Sequence, residues 1–276
     1  MPLGPAEPLV HRNTKQITMQ KLTFLNFLLL SIIFLACNNS APSEEVISNE
    51  EAIKAPKHNM LTASEKAAGW TLLFDGKDVS QWHGYNKTGF PERGWKVENG
   101  EISCEYSGTD EAGYGGDIIT KKKYKDFDLK VDFAIVDTSN SGIFYLVQEL
   151  PETPIYHSAP EYQILDDETY KVTYPGLTLA QCTGANYDMH AQEVNYSNPI
   201  GEWNTARIVK KGNEVQHFLN DSLVVAYTLH SEDWEKRRLA SKFVDWPSYA
   251  TVDIGHIGLQ DHGHLVRFRN VKVREL

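Results

Sequence analysis

The sequence predicts an all-β domain, a jelly-roll sandwich of two antiparallel sheets with one short helix. Three observations predict it. The stretch FDLKVDFAI at 127–135 puts Phe127, Leu129, Val131, Phe133 and Ile135 on one face and Asp128, Lys130 and Asp132 on the other. That period-two alternation is the mark of a strand with one side in a core and one in water. Short segments of this kind recur with turn pairs between them, among them Asn99-Gly100, Gly212-Asn213 and Asn220-Asp221. No strand–helix–strand alternation runs along the chain, which excludes a doubly wound parallel sheet, and no repeat of blade or solenoid length is present.

The elements follow in order. WKVENGEISC (95–104) is a hairpin about Asn99-Gly100, and FDLKVDFAI is followed across DTSNSG by SGIFYLVQE (141–149). EYQIL (161–165) is a strand after a proline-bounded loop, and WNTARIVKK (203–211), EVQHFLN (214–220) and SLVVAYTL (222–229) form a meander. IGLQ (257–260) and LVRFRNVKV (265–273) close the sheets. The one helix is EDWEKRRLASKF, capped by Ser231, with acids in its first turn and bases after them as the helix dipole prefers. Residues 166–200 carry little strand signal but hold Tyr170, Tyr174, Tyr187, Asp188 and His190, so they read as a functional loop.

The N-terminus reads as an address. From Met19, MQKLTFLNFLLLSIIFLACNNS has one lysine, an apolar run and a small residue before Cys37, a signal-peptide profile ending in a lipobox-like FLAC. Residues 1–18 read as an over-extended start. Cys37 is then the lipidated residue, and a lipid anchor makes a membrane surface its partner. Residues 38–63 form a polar, acidic tether, and the folded domain runs from Ser64 to residue 276. The expected location is the cell envelope, on the periplasmic or outer-membrane face. A formal charge of −10 argues against nucleic acid as a partner. Cys104 and Cys182 are either paired or two buried thiols, and neither belongs to a Cys-x-x-Cys pair that would suggest a zinc-thiolate site.

Seven segments carry a resemblance: GWTLLFDGKDVSQWHG (69–84), YKDFDLKVDF (124–133), NSGIFYLVQE (140–149), APEYQILDD (159–167), GEWNTARIV (201–209), HFLND (217–221) and IGLQDHGHLVRFRNVKVREL (257–276). In this order they resemble the 3-keto-disaccharide hydrolase domain family. The resemblance implies a concanavalin A-like lectin/glucanase sandwich, a lipoprotein member of the family, and cleavage of 3-keto-glycosides. The chain departs from the family pattern at Tyr145-Leu146, where an arginine is common, at Asp166-Asp167 in place of LDN, and at GANYDMH in place of SLYDL. These departures are expected around the pocket.

The residues support a sugar site on their own terms. Ile257 and Leu259 can face a core while Gln260 and His262 face a groove, and Glu161 and Gln163 share a face opposite Tyr162 and Ile164. Sugar hydroxyls call for such amides and titratable groups. Glu161 and His262 are therefore the catalytic candidates, and also the candidate ligands should a divalent cation be bound. Gln163, Gln260, Asn140, Tyr187, Asp188 and Arg267 are the substrate-binding candidates. Each has a plainer reading: Glu161 as a solvated strand residue, His262 as a turn cap, Asn140 as part of a bulge, Arg267 as an ion-pair partner. His264 reads as an exposed histidine, and Trp70, Phe74, Trp82 and Trp95 as packing. EYQILDD lacks the Glu-x-Asp-x-x-Glu spacing of laminarinase-like hydrolases, with Gln163 at its centre, so ordinary two-carboxylate retaining hydrolysis is not expected. The resemblance implies instead C2 proton abstraction, elimination and hydration, with Glu161 or His262 as base. The alternative is a non-catalytic glycan-binding lipoprotein of a surface uptake system.

Overall fold

The computed structural model describes residues 58–108 and 113–276. Cys37, the leader before it and residues 38–57 of the tether lie outside the described residues.

The larger sheet runs in the order β11 (Ser222–Thr228), β10 (Glu214–Leu219), β9 (Trp203–Lys211), β6 (Phe127–Ile135), β13 (Val266–Glu275), β4 (Glu101–Cys104) and β3 (Trp95–Glu98), with β1 (Thr71–Leu72) paired to β13. The smaller one runs β2 (Trp82–Gly84), β5 (Ile118–Thr120), β12 (His256–Leu259), β7 (Asn140–Val147) and β8 (Glu161–Leu165). All pairings between these strands are antiparallel. Between the sheets, Leu129, Val131 and Phe133 of β6 share one core with Tyr162 and Ile164 of β8 and Ile257 and Leu259 of β12. The sandwich is the expected fold, and Trp70, Phe74, Trp82 and Trp95 are buried in it.

The hairpin at 95–104 turns as its sequence requires, with Asn99 at φ 54° and Gly100 at φ 79°. Helix α3 (Glu232–Ala240) begins where Ser231 accepts a bond from the Trp234 N–H at 3.1 Å. Among the described residues two further α-helices depart from the one expected: α1 (Ala63–Ala67), held by a Thr62/Glu65 capping box, and α2 (Asp167–Thr173), capped by Asp166. Neither is long enough for a helical period to stand out in sequence. The folded body also starts earlier than Ser64, since Asn59 is buried and bonded to Asn270 and Gly100.

Asp128 corrects the simplest reading of alternation. It stands on the face away from the core, yet it is 1% exposed, because Arg207 from β9 and Arg274 from β13 cover it with bonds of 2.7–2.9 Å. Cys104 and Cys182 are separate, buried free thiols. Tyr145 points inward rather than toward a pocket, its hydroxyl bonded to Tyr227 and, at 2.9 Å, to His217. Burial pushes His217 down to about 3, so it stays neutral.

Candidate active site

Strand register builds the site. Gln163 of β8 lies opposite Gly142 of β7, and the Gln260 N–H, just past β12, bonds to the Gly142 carbonyl at 3.0 Å. The three residues make a row across the outer face of the smaller sheet. Asp117 joins the same end, as it precedes β5 and its carboxylate accepts the Asp261 N–H at 2.9 Å. Farther along the sheet the outer face turns apolar, with Ile119, Phe144, Val147, Ile155 and Ala159 packed together. Glu161, opposite Phe144, stands where the polar row meets that apolar cluster.

Above this floor is a hollow of about 530 Å³, lined by Glu161, Gln163, Asn140, Gln260, His262 and Tyr187 together with Asp117, Asp261, Lys87, Lys242, Tyr85, Tyr114, Tyr156 and Trp246. Six of the eight site residues expected from sequence therefore converge. Gln163 and Gln260 are 3% and 7% exposed, and the side-chain oxygen of each has no protein partner among the described residues. Buried amide oxygens without partners are costly, and a ligand hydroxyl would satisfy them.

The other two expected residues lie apart from the hollow. Arg267 sits in β13 of the larger sheet, with its guanidinium over the Trp203 ring and 3.6 Å from Glu101, so it takes the plainer ion-pair role. Alternation could assign it a face but not a sheet. Asp188 lies behind the wall, where its carboxylate accepts the Lys242 backbone N–H at 3.1 Å. His264 stacks beside His262 at 5.8 Å without lining the hollow.

The titrating groups are unusual. Burial pushes Glu161 up to about 8; Lys242 opposes that rise and Asp117 adds to it. Burial also raises Asp117 to about 7, with nearby Asp261 contributing and the Asp261 N–H and Lys87 opposing. Asp261 accepts from the N–H groups of Gly115 and Gly263, yet burial still holds it above the usual carboxylate range. Burial likewise lifts Tyr187 to about 12. Perturbed groups collected in one hollow are what acid–base chemistry there would require.

Asp117, Lys242, Tyr156 and Trp246 were not found from sequence. Asp117 ends GYGGD and Trp246 stands in DWPSY, stretches with no periodicity. As for a cation, Glu161 and His262 line the same hollow, but no group of three or more His, Cys, Asp or Glu side chains among the described residues is arranged to hold one. With that donor set we derive no step through a metal.

A β-sandwich whose smaller sheet carries amide oxygens, raised carboxyls and aromatic walls in one hollow has the make-up of a carbohydrate site. The comparisons narrow it: the model of the 3-keto-alpha-glucoside-1,2-lyase-like domain matches residues 69–274, and the chain belongs to that family. It is 35% identical over 262 residues to a 3-keto-disaccharide hydrolase of Bacteroides thetaiotaomicron, covering 87% of this chain and 90% of that protein. A crystal structure of a candidate glycosyl hydrolase from Parabacteroides distasonis matches with a TM-score of 0.72 and 39% identity, over 80% of this chain and all of that one. A second candidate glycosyl hydrolase of that organism, at 24% identity and a TM-score of 0.55 over 75% of this chain and 99% of its own, shares the fold. The chain is an enzyme of the glycoside-hydrolase type. Where the resemblance leads to the expectation of an arginine, the side chains of Tyr145 and Leu146 do not line the hollow, and Asp166 and Asp167 serve α2 and Thr183. Of the three departures, only GANYDMH reaches the hollow, through Tyr187.

Proposed function

We propose that the protein cleaves 3-keto-glycosides, 3-keto-disaccharides among them, by elimination and rehydration. A ketone at C3 acidifies the C2 proton. Glu161 removes it, and the C1–O bond breaks as the enolate collapses. Asp117, raised beside Asp261, protonates the departing oxygen. Water then adds across C1=C2, its hydroxyl to C1 and a proton to C2, giving 3-keto-glucose. Gln163, Gln260, Asn140 and His262 hold sugar hydroxyls, and the aromatic side chains of the lining bound the hollow around the sugar. The observation that carries this reading is the convergence of Glu161, Gln163, Gln260 and His262 on one hollow, with both amide oxygens unpartnered among the described residues. The test is incubation with a disaccharide and with its 3-keto form. Free 3-keto-glucose is expected from the oxidised sugar alone, and equal cleavage of both would defeat the proposal.

A further inference from the structure

The reaction just proposed places a negative charge on the C3 oxygen as the C2 proton leaves, and something must meet that charge. The buried amide oxygens of Gln163 and Gln260, without partners among the described residues, receive hydroxyl protons and not an oxyanion, and an amide N–H brings no full positive charge to one. Two lysines line the hollow: Lys87, whose ammonium donates to the Gly115 carbonyl at 2.6 Å, and Lys242, on the short turn Lys242–Asp245 after α3, whose ammonium stands among aromatic rings. The Lys242 ammonium lies 4.3 Å from the Tyr187 ring centre, 5.2 Å from that of Tyr156, 5.4 Å from Trp246 and 5.5 Å from Phe243. Aromatic faces hold a cation in place without neutralising it. Lys210 and Lys272, by contrast, are ion-paired with Asp126 and Glu65. Among the described residues Lys242 makes no ion pair. Its backbone is fixed as well: Asp188 accepts the Lys242 N–H at 3.1 Å, and the Ser241 hydroxyl accepts the Phe243 N–H at 3.2 Å. The charge of Lys242 is also felt at Glu161, whose proton affinity it lowers.

We infer that Lys242 is a catalytic residue whose ammonium receives the enolate oxygen, an inference that rests on the keto-sugar reading above. The Glu161 carboxylate takes the C2 proton. The C2–H electron pair becomes the C2=C3 bond, and the ketone's π electrons move onto the C3 oxygen beside the ammonium. When the enolate collapses, the ketone re-forms, C1=C2 appears, and the glycosidic oxygen leaves with its bonding pair and takes a proton. Lys242 stays protonated and non-covalent throughout. Asp188 is then a positioning residue, acting through the Lys242 backbone.

The test compares the wild-type chain with Lys242→Met and Lys242→Arg on a 3-keto-disaccharide across pH, with melting curves to confirm folding. Lys242→Met should lose roughly 10²–10³-fold in kcat. Its pH–rate profile should also move upward on the limb set by Glu161, because a cation that favoured the carboxylate is gone. Lys242→Arg should restore much of both. Unchanged rate and profile in the folded Met variant would overturn the inference and leave the proposed activity standing. So would a borohydride-trapped substrate adduct on Lys242, which would make the residue a covalent catalyst. A wild-type chain that releases no 3-keto-glucose would remove the reading and the inference together.

Discussion

Replacing Glu161 with glutamine is expected to slow turnover of a 3-keto-disaccharide by roughly 10²–10⁴-fold and, above pH 8, to make the protein more stable. Both effects have one cause. The carboxyl sits between a polar row and the apolar cluster around Phe144, and burial lifts it to about 8. A base of that strength suits a carbon acid next to a ketone, but only its ionised form works, so the rate should climb as pH approaches about 8. Asp117, needed in its protonated form, falls off above about 7. The product of the two fractions gives a bell with its maximum between these values. For stability the sign is the reverse of the usual carboxylate. The folded state holds the Glu161 proton more tightly than the unfolded chain, where the ordinary value of 4.5 applies. Its contribution is therefore complete below that value and is lost as pH rises through about 8. Glutamine resembles the protonated acid and carries no such loss. Melting curves at pH 5 and pH 8.5 check this: near-equal values at the first and a higher melting temperature for Glu161→Gln at the second. A variant less stable at pH 8.5 would show that the carboxylate is well solvated.

The second large effect is expected at a residue with no functional group. A Cβ on Gly142 would lie 2.3 Å from Glu161 Oε1 and 2.8 Å from its Cγ. Contacts that short force movement, and Glu161, at 6% exposure, has little room to move without leaving its place in the hollow. Gly142→Ala should therefore reduce kcat by on the order of 10²-fold and cost about 1–3 kcal/mol in stability. Gly176→Ala is the control, since nothing lies within 4 Å of its Cβ position. Full activity in Gly142→Ala would mean that the carboxylate is not held where the reaction needs it.

Much of this site is legible in sequence, for a physical reason. Alternation separates the two faces of a strand, so Glu161 and Gln163 come apart from Tyr162 and Ile164, and Gln260 comes apart from Ile257 and Leu259. The long strands at 127–135 and 203–211 have the expected bounds, because their patterns repeat often enough to be unambiguous, and the short strand at 161–165 has them too, set by the proline that ends the loop before it. Strands β1, β2 and β5, of two or three residues each, repeat too few times to be seen. Alternation also cannot say what covers an outward face, which is why Asp128 looks solvated until Arg207 and Arg274 arrive from neighbouring strands. Lys242 falls in the stretch expected as helix, but α3 ends at Ala240 and Lys242 opens the turn after it, while Asp117 and Trp246 come from connections whose placement depends on the finished sandwich. No local pattern announces them.

The central claim is that the glycosidic bond breaks by loss of the C2 proton and not by direct displacement at C1. Running the reaction in deuterium oxide and reading the product by proton NMR tests it most directly. Proton abstraction followed by rehydration predicts 3-keto-glucose carrying deuterium at C2 from its first appearance, before any uncatalysed exchange. Product that forms at the full rate with its original C2 hydrogen would contradict the account.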